Sequence, residues 1–181
     1  MASFVERVIG AARLDPAAYE EVEADPNALG QAMAVVVLAS LAGGLGSSLA
    51  SGGQGAGILG GMVLSVVGWF AWALVTYLVG TRILPTVDTK CDLGEMLRTT
   101  GFSAAPGALG ILGFLPLIGG LVLLVSSLWQ LAAMVVAVRQ ALDYTSTGRA
   151  IGVCLIGFAV YLLVAIVLAG FLAGSGITPT A

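Results

Sequence analysis

Histidine is absent from this chain, which removes the commonest general base and metal-binding side chain. Charge is scarce as well: 9% of the 181 residues are Asp, Glu, Lys or Arg, against roughly 25% in soluble domains. So few charges cannot cover a water-facing surface. Seven basic and ten acidic side chains give a net charge of −3, and no basic face for nucleic acid. Cysteine occurs twice, Cys91 in a polar stretch and Cys154 in an apolar one. The two sit at different depths, so no disulfide is expected, and Cys154 reads as packing. The first 25 residues hold six acids and two arginines rather than a basic run feeding a short apolar core. No cleavable signal peptide is therefore expected.

What is present is apolar: 59% of the chain is hydrophobic. The charges fall in three short segments, eight in 6–25, six in 82–98 and three in 139–149. Between and after them lie uncharged stretches of 56, 40 and 32 residues. At about 20 apolar residues per crossing these hold two, two and one membrane spans. The expected fold is an all-α integral membrane bundle of five transmembrane helices. The spans fall at about 28–49, 58–81, 102–115, 117–138 and 151–172. An arm, 1–25, precedes them, and a short tail, 173–181, follows. The third span is short and contains Pro106; as an α-helix it reaches roughly 21 Å of a ~30 Å core. Asp92 and Glu95 form a capping-box pattern, so a lead-in helix from Leu93 can supply the missing length. All seven Lys and Arg residues fall before span one, between spans two and three, or between spans four and five. This asymmetry predicts a cytoplasmic N-terminus and an outside C-terminus. A re-entrant third segment would put Arg139 and Arg149 outside.

The arm carries its own pattern. Phe4, Val5, Val8, Ile9 and Ala12 recur at helical spacing over residues 3–14, which predicts an amphipathic helix. Phe4, Val5, Val8 and Ile9 form the candidate interaction surface. Asp15-Pro16 opens a second, acidic helix. Such an arm either lies on the membrane, docks a partner or packs on its own bundle. Glu20, Glu21, Glu23 and Asp25 would be repelled by anionic lipid. The arm is therefore expected to dock on the protein's own cytoplasmic loops, with Arg82, Lys90 and Arg98 as counter-charges.

Chemistry is not evident. The predicted spans hold no ionisable residue of the kind that marks an ion pathway. No nucleophile has an adjacent base, and the glycine clusters lack the lysine of a phosphate loop. No catalytic, cofactor-binding or metal site is assigned, and no cofactor is expected. Gln130 is the most polar deep residue; it reads as an interhelical hydrogen bond or as the lining of a substrate path. The small pairs Gly57 and Gly61, Gly101 and Ala105, and Gly170 and Gly174 are four apart. With Gln130 they are the candidate helix-packing residues, within the bundle or in a homo-oligomer.

The stretch 97–106, Leu-Arg-Thr-Thr-Gly-Phe-Ser-Ala-Ala-Pro, resembles the start of the third span in the Yip domain, the Ypt/Rab-interacting protein family. Leu128-Trp129-Gln130-Leu131 and Gly148-Arg149-Ala150 are similar to its later segments. Arg13-Leu14-Asp15, Tyr19, Asp25-Pro26 and Gln31-Ala32 resemble the prokaryotic members, and the likeness covers about residues 5–172. It implies five spans with a cytoplasmic N-terminus. Eukaryotic members of that family bind Rab-type GTPases and carry an Asp-Leu-Tyr-Gly-Pro motif ahead of the first span, which this chain lacks. Rab binding is therefore not carried over.

The expected function is a non-catalytic multi-pass protein of a bacterial or archaeal cell membrane. It would organise the lipid bilayer or recruit a protein partner on its cytoplasmic face. The alternative is a transporter or channel component for a neutral or lipidic substrate, since a short span broken by proline often lines a site.

Overall fold

The computed structural model describes residues 2–52 and 57–174, with all side chains there except those of 165 and 168–174. Its regular structure is helical, with no strand among the described residues. In order come α1 (Phe4–Ala12), α2 (Pro16–Ala24), α3 (Ala28–Ala50), α4 (Ile58–Leu78), α5 (Leu93–Phe102), α6 (Gly119–Ala141) and α7 (Thr147–Gly174). A π-helical turn, Val79–Ile83, extends α4, and a 3₁₀ helix, Ala105–Phe114, follows α5.

Among the described residues four helices are long and apolar enough to cross a membrane: Ala28–Ala50, Ile58–Ile83, Gly119–Ala141 and Thr147–Val164. Between 6% and 28% of the residues in their most apolar windows are buried inside the bundle. Leu59, Leu64, Leu128 and Leu163 instead face outward. The interior is built from small residues such as Ala28, Ala32, Ala133, Ala137 and Ala141, all fully enclosed. That distribution suits lipid, where burying leucine gains nothing and close backbone approach is the source of cohesion.

The third predicted span is not an α-helix throughout. The lead-in helix forms at Leu93, and Asp92 and Glu95 cap it reciprocally at 2.8 and 2.7 Å. The chain then tightens into ten residues of 3₁₀ helix. A 3₁₀ helix has three residues per turn and rises about 2.0 Å per residue, so ten residues reach about 20 Å. Three residues per turn also aligns Gly107, Gly110 and Gly113. Gly107 lies against Ala39, and Gly110 against Gly43, where an added Cβ would come within 3.2 and 2.9 Å respectively. Upstream, Gly101 on α5 meets Ala32. The contacts climb together, 101 on 32, 107 on 39 and 110 on 43, so α5 and the 3₁₀ helix run parallel to α3. On the other side Ser126 of α6 donates to the Pro106 carbonyl at 2.8 Å, and Leu123 packs at Gly113. There α6 runs antiparallel.

The far end of α4 is tied to the α6–α7 connection. The π turn leaves carbonyls available, and the Tyr144 hydroxyl donates to those of Gly80 (3.2 Å) and Leu84 (2.6 Å). Arg149 lies over the Tyr144 ring at 5.8 Å.

Candidate functional site

Helices α1 and α2 form a hairpin clamped to the bundle. Ser3 and Glu6 box the start of α1, and Asp15 caps α2 by accepting from the Ala17 amide at 3.0 Å. Between them Leu14 takes a left-handed φ of 62°. Its amide and that of Asp15 donate to the Ala11 and Gly10 carbonyls, closing a Schellman turn. The α1 face expected to bind divides in two. Phe4 and Val8 pack on the cluster of Tyr19, Val22, Ala32 and Phe102, with the Phe4 and Phe102 rings 6.4 Å apart. Val5 and Ile9 point outward.

The arm docks on helices rather than on loops. Trp129 of α6 donates its indole proton to the Ala12 carbonyl at 2.7 Å, and Gln140 donates to Glu20 at 2.8 Å. The counter-charges also differ from those expected. Arg7 on α1 itself, 2% exposed, pairs with Glu21 at 3.0 Å and Asp25 at 2.9 Å and donates to Gln31 at 3.2 Å. An arginine fork suits such a multiple acceptor set, because its donors point in fixed directions. Burial works against the Arg7 charge, but the hydrogen bonds of Asp25 and Glu21 outweigh it and raise its pKa. Arg7, with the Asn27 amide, holds Asp25 below the usual carboxylate range; the Ala2 amide and Arg7 do the same for Glu21. Arg98 does reach the arm, but to its backbone: Nε donates to the Val22 and Glu23 carbonyls, each at 3.1 Å. Arg82 and Lys90 form no ion pair among the described residues.

At this charged end a cavity of about 530 Å³ opens between the arm and the bundle, lined by Glu20, Glu23, Glu95, Arg139 and Asp143 among others. Burial, then the carboxylates of Asp143, Glu95 and Glu20, push the Glu23 carboxyl up to about 7. No group of three or more metal-binding side chains converges among the described residues.

A second cavity of about 490 Å³ lies inside the bundle, among α3, α4, α5, the 3₁₀ helix, α6 and α7. Small residues make room for it: Gly43, Gly68, Gly107 and Gly110 line it beside Ser40 and Ser65. Trp69 donates to the Thr100 hydroxyl at 3.2 Å, and the Trp72 indole approaches the Met134 sulfur at 3.2 Å and the Tyr161 ring edge-on. Gln130 lines this cavity, with its amide nitrogen facing Gly107. Tyr161, which periodicity did not single out, lines it from α7. Its only signal in the sequence was a phenol inside an otherwise apolar span.

The remaining candidate packing residues divide. Gly101 and Ala105 are buried at α3, whereas a Cβ on Gly57 or Gly61 would meet nothing within 4 Å. Gly57 and Gly61 line a groove between α3 and α4 with Ser40, Ser47 and Ser65. Gly170 and Gly174 lie where side-chain surroundings are outside the described residues.

A family model for the Yip1 domain matches residues 13–169. No curated protein and no solved structure matches the chain.

Proposed function

Because this chain belongs to the Yip1 domain family, we propose that it is a non-catalytic multi-pass membrane protein that recruits a partner, or organises lipid, through its charged face. In this reading residues 26–172 cross the membrane five times, and the N-terminal arm 1–25 sits on the cytoplasmic side of a bacterial or archaeal cell membrane, with the end of α1 reaching the middle of α6 at Trp129. Two facts support five crossings. The α5–3₁₀ segment runs parallel to α3 and antiparallel to α6, so an up–down order is kept through all five elements. Past the charged Glu95 and Arg98, residues 99–104 at about 1.5 Å each and ten 3₁₀ residues at about 2.0 Å each reach about 29 Å, close to a ~30 Å core.

The observation that carries the functional reading is the docked arm. Arg7, Arg98 and Trp129 hold α1 and α2 against the bundle, which turns a short amphipathic segment into a shaped face. Val5 and Ile9 are left exposed on that face. The test is affinity capture from native membranes with the full chain and with a chain lacking residues 2–25. A stoichiometric partner that is held by the full chain and lost with the arm supports recruitment. Equal capture by both chains overturns it.

The cavity inside the bundle favours a second reading, a transport component for a neutral or lipidic substrate. Flux of such a substrate in proteoliposomes, with no arm-dependent partner, would select it.

A further inference from the structure

Within the bundle cavity the hydrogen-bonding capacity is unevenly spent. Ser65, Ser103, Ser126 and Ser127 each donate their only proton to a backbone carbonyl, at 2.8, 2.6, 2.8 and 2.8 Å. Thr100 does the same to Met96 at 2.6 Å. What these hydroxyls present to the cavity is acceptor lone pairs. The two indole protons are already committed to Thr100 and Met134. The side chains of Gln130 and Tyr161 make no hydrogen bond to any described residue, although both line the cavity. Neither is sealed in: Gln130 is half-buried and Tyr161 is 37% exposed, so the amide and the phenol are open to a ligand that enters the cavity.

A second hollow of about 380 Å³ adjoins the first. It shares Trp72, Ser127, Gln130, Met134 and Tyr161 with it and is otherwise lined by Leu131 and Phe158. Its wall is almost wholly apolar, and Leu131 and Phe158 are themselves exposed on the lipid side of α6 and α7. The combined space therefore has a polar inner end with both acceptors and donors, and an apolar passage toward the acyl chains.

From this arrangement we infer that the bundle binds a single uncharged glycerolipid of the diacylglycerol type. Its free hydroxyl donates to the serine oxygens, its ester carbonyls accept from Gln130 and Tyr161, and one acyl chain leaves past Leu131 and Phe158. Phospholipid headgroups are excluded by charge, because no Lys or Arg lines either hollow to meet a phosphate. The inference goes beyond the recruitment reading and is independent of it, since no residue of the arm lines the site.

Trp69 and Trp72 supply the probe, read in a Trp129→Phe background because Trp129 is itself exposed on α6. The full chain in phosphatidylcholine nanodiscs is titrated with diacylglycerol brominated on its acyl chains, and tryptophan fluorescence is read. Saturable quenching is expected, at least fivefold stronger than that by phosphatidylcholine brominated at the same carbons. Gln130→Leu combined with Tyr161→Phe should raise the half-saturating fraction tenfold or more. Tyr161→Phe alone, which removes one hydroxyl and no packing volume, should raise it measurably and serves if the double variant fails to fold. Equal quenching by the two lipids would mean only surrounding lipid is sensed. Absence of quenching would mean the cavity holds water alone. Either result, or wild-type titration by the Tyr161→Phe chain, overturns the inference.

Discussion

The guanidinium of Arg98 on α5 closes the C-terminal end of α2: its Nε lies 3.1 Å from the Val22 carbonyl. The last carbonyls of a helix have no partner within the helix and carry its negative dipole end, so a buried cation there satisfies both. Arg98 is 8% exposed and sits 76 residues from Val22 in sequence. With Trp129 and Gln140 it is one of the long-range side-chain ties between the arm and the bundle.

Arg98→Met keeps the apolar stem and removes the donors. A charge-assisted hydrogen bond contributes roughly 1.5–3 kcal/mol, so the docking equilibrium constant should fall by a factor of about ten or more. Hydrogen exchange of the α2 amides should accelerate accordingly, while the amides of α3 and α6 keep their protection. Unchanged α2 exchange would mean that Arg7 and Trp129 hold the arm alone.

The charged segments, the caps at Asp15 and Asp92 and the amphipathic spacing of α1 are local features, and local rules read them. The 3₁₀ helix is not read from the sequence: the third span is expected as an α-helix containing Pro106, and Gly107, Gly110 and Gly113 align on one side only once the chain has tightened to three residues per turn. Arg7 is different. Nothing near it in sequence says that it meets Glu21, Asp25 and Gln31 together rather than facing water. That arrangement exists only once the α1–α2 turn at Leu14 has closed. Gln130 was visible as a polar residue in a span; its convergence with Tyr161 depends on α6 and α7 packing side by side.

Glu23 makes the docking depend on pH. In the undocked arm its carboxyl has the ordinary value of 4.5, and in the docked arm it is raised to about 7. A raised folded value favours docking in full below 4.5, and the contribution is lost as pH rises through about 7. Glu21 and Asp25 act with the opposite sign, but only at acid pH, since their docked values lie below the usual range. Protection of α2 should therefore decline between pH 5.5 and pH 8, after correction for intrinsic exchange. Glu23→Gln should flatten that profile and strengthen docking at pH 8 by about 1–3 kcal/mol. A profile that keeps its slope in the Glu23→Gln chain would assign the dependence to another group.

Topology is tested by fusing a reporter that is active only in the cytoplasm. Fusions after Arg13, Lys90 and Asp143 should be active, and fusions after Gly53 and Ala181 inactive. The Arg and Lys residues all fall in the first set of segments, which is the basis of the expectation. An active fusion at Ala181 together with an inactive one at Asp143 would mean that the α5–3₁₀ segment turns back without crossing.

The glycines separate close packing from open space. A Cβ on Gly101 would sit 2.7 Å from the Ala32 Cβ and 3.1 Å from its carbonyl oxygen. On Gly110 it would sit 2.9 Å from the Gly43 Cα. Backbone atoms cannot rotate away, so either substitution must push α3 off the α5–3₁₀ segment. Overpacking of this kind costs typically 1–3 kcal/mol. Gly101→Ala and Gly110→Ala should therefore lower the melting temperature in detergent by several degrees. Gly57→Ala and Gly61→Ala meet nothing within 4 Å, and Gly61 lies inside α4, where alanine is the better helix former by about 1 kcal/mol. Those two variants should melt at or above the wild-type temperature if their only contacts are within one chain. A fall at Gly57 or Gly61 as large as that at Gly101 would instead place the α3–α4 groove at an interface between copies, and a matching loss of dimer on size-exclusion chromatography would identify it.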